Sequence, residues 1–298
     1  MTSSSNLRAI LAMVVSMGSF VASDSCMKLA LPHAPLFELM LMRGLVSLTV
    51  CLGLILVMGQ GFSIPRMFDK WLVARGVLET IANLSFIFAL GFIAIADLTA
   101  IVQTCPLFVL LGAWAFRGER LGGQRLALIL LGIAGAMLVA QPGTGAVSPL
   151  AGLAFLTAIA SAVRDLLTPN VPKGMPPLVA ALTVITVLTL TGLCGMLAVE
   201  TPVMPGIREI LLMILSGTTA VSGHLLLYLT YRMGEARTVA PFMYTLTIWA
   251  VLSGLVIFGE VPNTLAISGM VLVALAGLAI IWLDGRQRKQ DARLAAEA

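Results

Sequence analysis

Nine side chains with polar or aromatic chemistry stand inside stretches apolar enough to cross a bilayer: Asp24, Arg75, Glu79, Asn83, Gln103, Asp165, His224, Tyr244 and Trp249. A charged group at mid-membrane costs a few kcal/mol on insertion scales, so each needs a partner, water or a task. Arg75, Glu79 and Asn83 fall at i, i+4 and i+8. They form one stripe on one helical face. The stripe is either an Arg75–Glu79 pair at a membrane edge or a surface that meets a charged ligand. Asp24 has Lys28 four residues on, and Asp165 adjoins Arg164. Each acid is either a local ion pair or a gate or proton acceptor. Asn83 and His224 can orient a polar ligand, and histidine takes a proton near neutral pH; an interhelical hydrogen bond is the plainer use. Gln103, Tyr244 and Trp249 add an amide, a phenol and an indole. The indole can stack on a ring-bearing molecule or simply pack.

Six of the nine pair with one another at a fixed offset of 141, and other residues repeat at the same distance. Asp24 meets Asp165, Gly76 meets Gly217, Asn83 meets His224, Gln103 meets Tyr244, Phe108 meets Trp249, and Gly118-Glu119 recurs as Gly259-Glu260. The 298 residues are 59% hydrophobic and 11% charged. Mean hydropathy is +1.03. That composition excludes an ordinary soluble domain. Ten apolar stretches are long enough to span lipid: 10–31, 36–58, 71–91, 95–116, 124–140, 149–167, 177–199, 208–231, 238–258 and 264–283. Backbone in lipid must satisfy its own hydrogen bonds, so these are helices, and the stretches lack the alternation of a β-barrel. The expected fold is an all-α membrane protein of ten helices in two five-helix repeats, 1–141 and 142–283, with a polar tail at 284–298. Five spans per copy is odd, so the second copy enters the membrane inverted. Inverted repeats build one shared site near the bilayer centre. The seam is the uncharged Gly- and Pro-rich segment 141–149.

Fifteen of the eighteen Lys and Arg fall on one side of this layout, the exceptions being Lys28, Arg43 and Arg208. The positive-inside rule then puts both termini in the cytoplasm. The net charge of +4 is thus a topology signal, and no nucleic-acid partner is expected. Cys26, Cys51, Cys105 and Cys194 lack metal-ligand spacing, so neither metal nor disulfide is expected. No Walker motif appears, so ATP drives nothing directly. With two histidines, His33 in a loop among them, no catalytic constellation assembles and no cofactor is implied. A filter-like loop for an ion channel is missing as well. Pro106 and Pro241 predict kinks in the fourth and ninth spans. The fifth and tenth spans carry Gly132, Gly135, Ala136, Ser268, Gly269, Ala276 and Gly277. They suit helix packing or a dimer contact, leaving monomer and homodimer both open. Glu38 and Arg43 lie in the outer half of the second span, Arg43 reading as structural. Glu119 and Glu260 read as solvated helix-end acids.

The stretch from Ala94 to Pro142, with Thr99-Ala100, Pro106-Leu107-Phe108, Gly118-Glu119-Arg120-Leu121, Gly132, Gly135 and Gln141-Pro142-Gly143, resembles the EamA family of the drug/metabolite transporter superfamily. The second half echoes it with Ala240-Pro241, Gly259-Glu260, Gly269 and Gly277, departing at Thr247 and at Val261-Pro262. The resemblance implies a multi-pass carrier in a bacterial inner membrane, taking small metabolites such as amino acids, vitamins or nucleotide-like compounds by alternating access. It also implies a central cavity lined by spans one, three, four, six, eight and nine. On this reading Asn83, Gln103, His224, Tyr244 and Trp249 are the substrate-binding candidates. Asp24, Arg75, Glu79 and Asp165 are those for gating or coupling, H+ included. Facilitated exchange and, more remotely, a membrane-embedded enzyme are the alternatives.

Overall fold

A computed structural model describes residues 3–59, 61–118, 122–141, 150–172, 174–233 and 236–297. It contains ten helices long and apolar enough to cross a membrane: Leu7–Ala30, Leu36–Val57, Lys70–Leu90, Ile95–Phe116, Gly123–Ala140, Ala151–Asn170, Pro177–Val199, Ile207–Met233, Ala240–Phe258 and Thr264–Leu283. No strand occurs among the described residues. The tenth helix does not stop at the polar tail but runs on to Glu297. Large apolar side chains such as Leu56, Phe116, Leu197, Val256 and Leu275 point outward, as helices facing hydrocarbon require. The seam 142–149, Glu119, Arg120 and Lys173 lie outside the described residues.

Local chemistry sets the ends and breaks. The carboxylate of Asp69 accepts from the amides of Trp71 at 2.9 Å and Leu72 at 3.4 Å, capping the third span. The fourth span breaks between Val102 and Cys105. Pro106 lacks the N–H that would bond to the carbonyl of Val102, and its ring crowds that carbonyl. The ninth opens as a 3-10 turn over Ala240–Tyr244, around Pro241, and widens to a π-turn over Gly254–Phe258. Both expected kinks are present. Gly118 and Gly259 end their helices in the left-handed conformation, with φ of 67° and 65°. Only glycine takes that turn without strain, which explains the repeated Gly-Glu pair.

The 141-residue offset recurs in three dimensions. The first span lies along the eighth as the sixth lies along the third, and the second meets the eighth as the seventh meets the third. The second and seventh, the fourth and ninth, and the fifth and tenth pair with their own counterparts. Single bonds repeat too. Ser16 Oγ donates to the carbonyl of Gly223 at 2.7 Å, and its counterpart Thr157 Oγ1 donates to the carbonyl of Ala82 at 3.2 Å. Gly217 sits on Val46 as Gly76 sits on Val187. The fifth and tenth spans therefore serve packing within one chain, joined at Gly135 and Gly269.

Candidate functional site

Both termini lie at one end of the bundle, here the terminal face, since ten spans separate them. A cavity of about 530 Å³ enters from that face. Its mouth is Thr168, Val171, Pro172, Gly174, Met175 and Pro177, and its floor reaches Met40, Ile87 and Leu188. Among the described residues, none from the connections at the opposite face lines it. The walls are spans two, three, seven and eight, with Arg164 of the sixth at the rim. This corrects the expectation that spans one, four and nine line it. The first span is closed against the eighth, and the fourth and ninth are turned toward each other.

Arg75, Glu79 and Asn83 all face this cavity, so the stripe at i, i+4 and i+8 is one wall. The expected Arg75–Glu79 pair is not formed. Glu79 Oε2 is bound instead by Arg164 Nη1. Asp165 Oδ1 takes Arg164 Nε at 2.9 Å and Nη2 at 2.8 Å. One guanidinium thus consumes two carboxylates. Arg75 Nε is buried and finds no acceptor among the described residues. An i, i+4 pair is the cheapest local guess, but Arg164 reaches Glu79 from another helix with a planar fork that matches carboxylate geometry.

Deeper in, His224 lies across the cavity lining from Asn83 without a hydrogen bond between them. Its Nδ1 is 2.8 Å from the carbonyl of Ala220, one turn back, and its ring meets the edge of Phe20 at 4.9 Å. Arg43 also lines the cavity, with Nη1 4.0 Å from Asp24 Oδ1. Asp24 therefore faces Arg43 across helices rather than Lys28 along its own. Gln103, Tyr244 and Trp249 stand apart from the cavity. Gln103 Nε2 donates to Thr247 Oγ1, tying the fourth span to the ninth. Tyr244 packs into the space left by Gly277. Trp249 Nε1 donates to the carbonyl of Val14 at 3.0 Å, and its ring covers Gly18. All three fix one helix to another.

The opposite face is sealed by bonds that the sequence did not advertise. Lys28 Nζ reaches Glu260 Oε1 at 2.5 Å and the carbonyl of Ile93 at 2.8 Å, while Glu260 Oε2 accepts from the amide of Ile95 at 3.1 Å. Glu260 is thus an ion-pair partner rather than a solvated helix end. Glu200 accepts from the amides of Phe37 and Glu38 at 3.0 and 3.2 Å, and Glu38 accepts from Val203 at 3.0 Å. Gln141 and Asn263 exchange amide bonds. The one sequence hint was Gly259, whose left-handed turn brings Glu260 back over the bundle. Lys28→Met leaves Glu260 unpaired while both side chains are mostly enclosed, 12% and 25% exposed. We expect it to raise labelling of a cysteine placed at Ser25 from the opposite face several-fold. Unchanged labelling would mean the pair does not hold this face shut.

Comparison with known proteins agrees with this architecture. Residues 7–141 match the EamA-like transporter family. A riboflavin transporter of Rhizobium johnstonii is 29% identical over 78% of this chain and 77% of its own length. The pseudopaline exporter CntI of Pseudomonas aeruginosa is 24% identical over 91% of this chain and 95% of its own. An S-adenosylmethionine uptake transporter of Rickettsia bellii is 24% identical over 91% and 92%. One solved crystal structure superposes with a TM-score of 0.60 at 19% identity, covering 96% of this chain and 99% of that one, which speaks for the fold alone. Ten apolar helices, a repeated Gly-Glu turn and these likenesses lead to one assignment: the chain is a multi-pass membrane protein whose first five spans match the EamA-like transporter family.

Proposed function

We propose that this protein is a secondary carrier that moves a small amphipathic metabolite by alternating access. The observation that carries the reading is the cavity itself: a largely apolar chamber studded with charged and polar groups at the junction of two repeat-related halves, open to one face and bolted at the other. A carrier must expose its site to one side at a time. The lining mixes three guanidinium groups, Arg43, Arg75 and Arg164, with one carboxylate, Glu79, one amide, Asn83, and one imidazole, His224. Apolar Met40, Leu72, Ile87, Val184, Ile185 and Leu188 form much of the rest. Such a wall suits a molecule with both a polar head and an apolar body. Relatives named for riboflavin, pseudopaline and S-adenosylmethionine support a metabolite of this size range. Asn83 and His224 orient the ligand in this scheme, Arg75 and Glu79 meet its charged part, and Asp24 beside Arg43 is the candidate H+ acceptor. The protein resides in a bacterial inner membrane with its terminal face in the cytoplasm, so the chamber opens inward.

Thermal-shift screening of the purified protein against amino acids, vitamins and nucleosides, followed by flux of the hits in proteoliposomes, tests this. A stabilising compound should also be transported, and Asn83→Ala or His224→Ala should cut its flux at least about 10-fold. Absence of binding and flux across the panel would remove the carrier reading. Asp24→Asn should flatten the pH dependence of flux. An unaltered profile would take Asp24 out of coupling.

A further inference from the structure

We propose that the terminal face closes only over a substrate that carries an anionic group, a carboxylate or a phosphate, which Arg75 accepts, so that the empty carrier stays open to that face and works as an exchanger. The inference rests on the carrier reading above and adds the charge class of its substrate.

The sealed half shows what closure involves. Where the first and eighth spans meet near the opposite face, Ser23 Oγ donates to the carbonyl of Ser216 and Ser216 Oγ donates to that of Ser23, both at 2.9 Å. The two hydroxyls are 3.0 Å apart. This is a small, neutral, self-satisfied seam. By the 141-residue offset its counterparts on the sixth and third spans are Arg164 and Arg75. The offset is structural there, because the flanking Ser16–Gly223 bond has its mate in Thr157–Ala82. When the third and sixth spans close as the eighth and first now do, two guanidinium groups must come together where two hydroxyls meet at present.

Arg164 brings its own counter-charges, Glu79 and Asp165. Arg75 brings none of its own: it forms no ion pair among the described residues, the carboxylates near it are those that Arg164 binds, and its Nε already lacks an acceptor there. Closing the empty cavity would bury this cation beside another cation with the nearby carboxylates spent. A buried charge without a partner is strongly unfavourable. Sharing Glu79 or Asp165 with Arg75 would strip Arg164 in turn. Nor can the terminal face borrow the bolt used opposite, because the counterpart of Lys28 is Pro169. An anionic substrate group between Arg75 and Arg164 supplies what the seam lacks. It binds a guanidinium in two-pronged fashion, and it stabilises the closed state more than the open one, which is how a ligand shifts such an equilibrium.

Two measurements decide this. The first uses protein freed of its four cysteines, with Leu39→Cys as reporter. Leu39 is fully buried near the opposite face, while its counterpart Ala180 lines the open cavity. In ligand-free proteoliposomes, Leu39→Cys should react slowly with an impermeant maleimide applied from the opposite face. Arg75→Ser, which copies the neutral seam, should speed that reaction about 10-fold, and Arg75→Lys should not. Equal rates for all three, or equal acceleration by both substitutions, would overturn the proposal. The second uses the unaltered protein and whichever compound the screen shows to be carried. Counterflow should exceed net efflux into substrate-free buffer at least about 10-fold, and that compound should bear a carboxylate or phosphate. Equal rates, or a neutral compound carried equally well (riboflavin as well as its 5′-phosphate, for example), would overturn it. If Arg75→Ser fails to fold, the flux comparison decides. If no compound is carried, the carrier reading falls, and the labelling still reports whether Arg75 holds the face open.

Discussion

Arg164→Ala should lower the melting temperature of the purified protein by roughly 5–10 °C and abolish flux. The substitution removes the shared counter-charge of Glu79 and Asp165 and leaves both carboxylates without it. Deleting one member of a buried ion pair costs about 3–5 kcal/mol. The lower end applies here, because Arg164 and Glu79 are 23% and 22% exposed and Asp165 is 40% exposed, so water from the cavity screens part of the loss. The stranded negative charges, not the missing contact, are the cause. Arg164→Met combined with Glu79→Gln and Asp165→Asn should therefore recover most of the stability but not the flux. A single variant that melts within about 1 °C of the parent would show that the triad contributes nothing to the fold.

Gly135→Leu should yield little or no monodisperse protein. A Cβ at that position would lie 2.9 Å from the carbonyl oxygen of Gly269, 2.9 Å from Leu272 Cβ and 3.1 Å from the amide nitrogen of Val273. Two of the three obstacles are backbone, which no rotamer change can move aside. The fifth and tenth spans approach this closely because small residues face each other, and lipid-embedded helices gain their association from that contact. Overfilling a packed interface costs about 1–3 kcal/mol, and more where neither side yields. Gly53→Ala is the matched control, since nothing lies within 4 Å of its added methyl. It should elute and melt like the parent. Normal yield and melting of Gly135→Leu would refute the close seam.

The fold was legible because lipid leaves the chain few choices. The expected second span, 36–58, is found at Leu36–Val57, and the expected seventh, 177–199, at Pro177–Val199. The repeat was legible because Gly118 and Gly259 are required by the same left-handed turn. The polar wall was legible in part. Arg75, Glu79, Asn83 and His224 are costly in an apolar span and do line the cavity. What spacing could not supply was partnership. Lys28 finds Glu260 from 232 residues away, and Glu79 finds Arg164 from 85 away. A local i, i+4 guess competes with every distant residue the fold brings near. Gln103, Tyr244 and Trp249 were drawn toward the site by their chemistry alone. An amide, a phenol or an indole inside lipid also finds a use in bonding or packing helix to helix, and here that use prevails. Ser23 read only as one of the small packing residues of the first span, and Ser216 gave no signal, since a serine hydroxyl in a helix ordinarily satisfies itself on the preceding turn.

Among the described residues, the carboxylate of Glu200 is the only side chain that caps the start of the second span, where Pro35 offers none. During synthesis, a ribosome that has delivered the first five helices has therefore made a bundle with bare amide hydrogens at Phe37 and Glu38. They stay bare until residue 200 emerges, more than half a chain later. The first five helices made alone would leave those two amides to water or lipid headgroups until their other half arrives. Neither half should mature as an autonomous unit, although two fragments made together in one cell should still find each other.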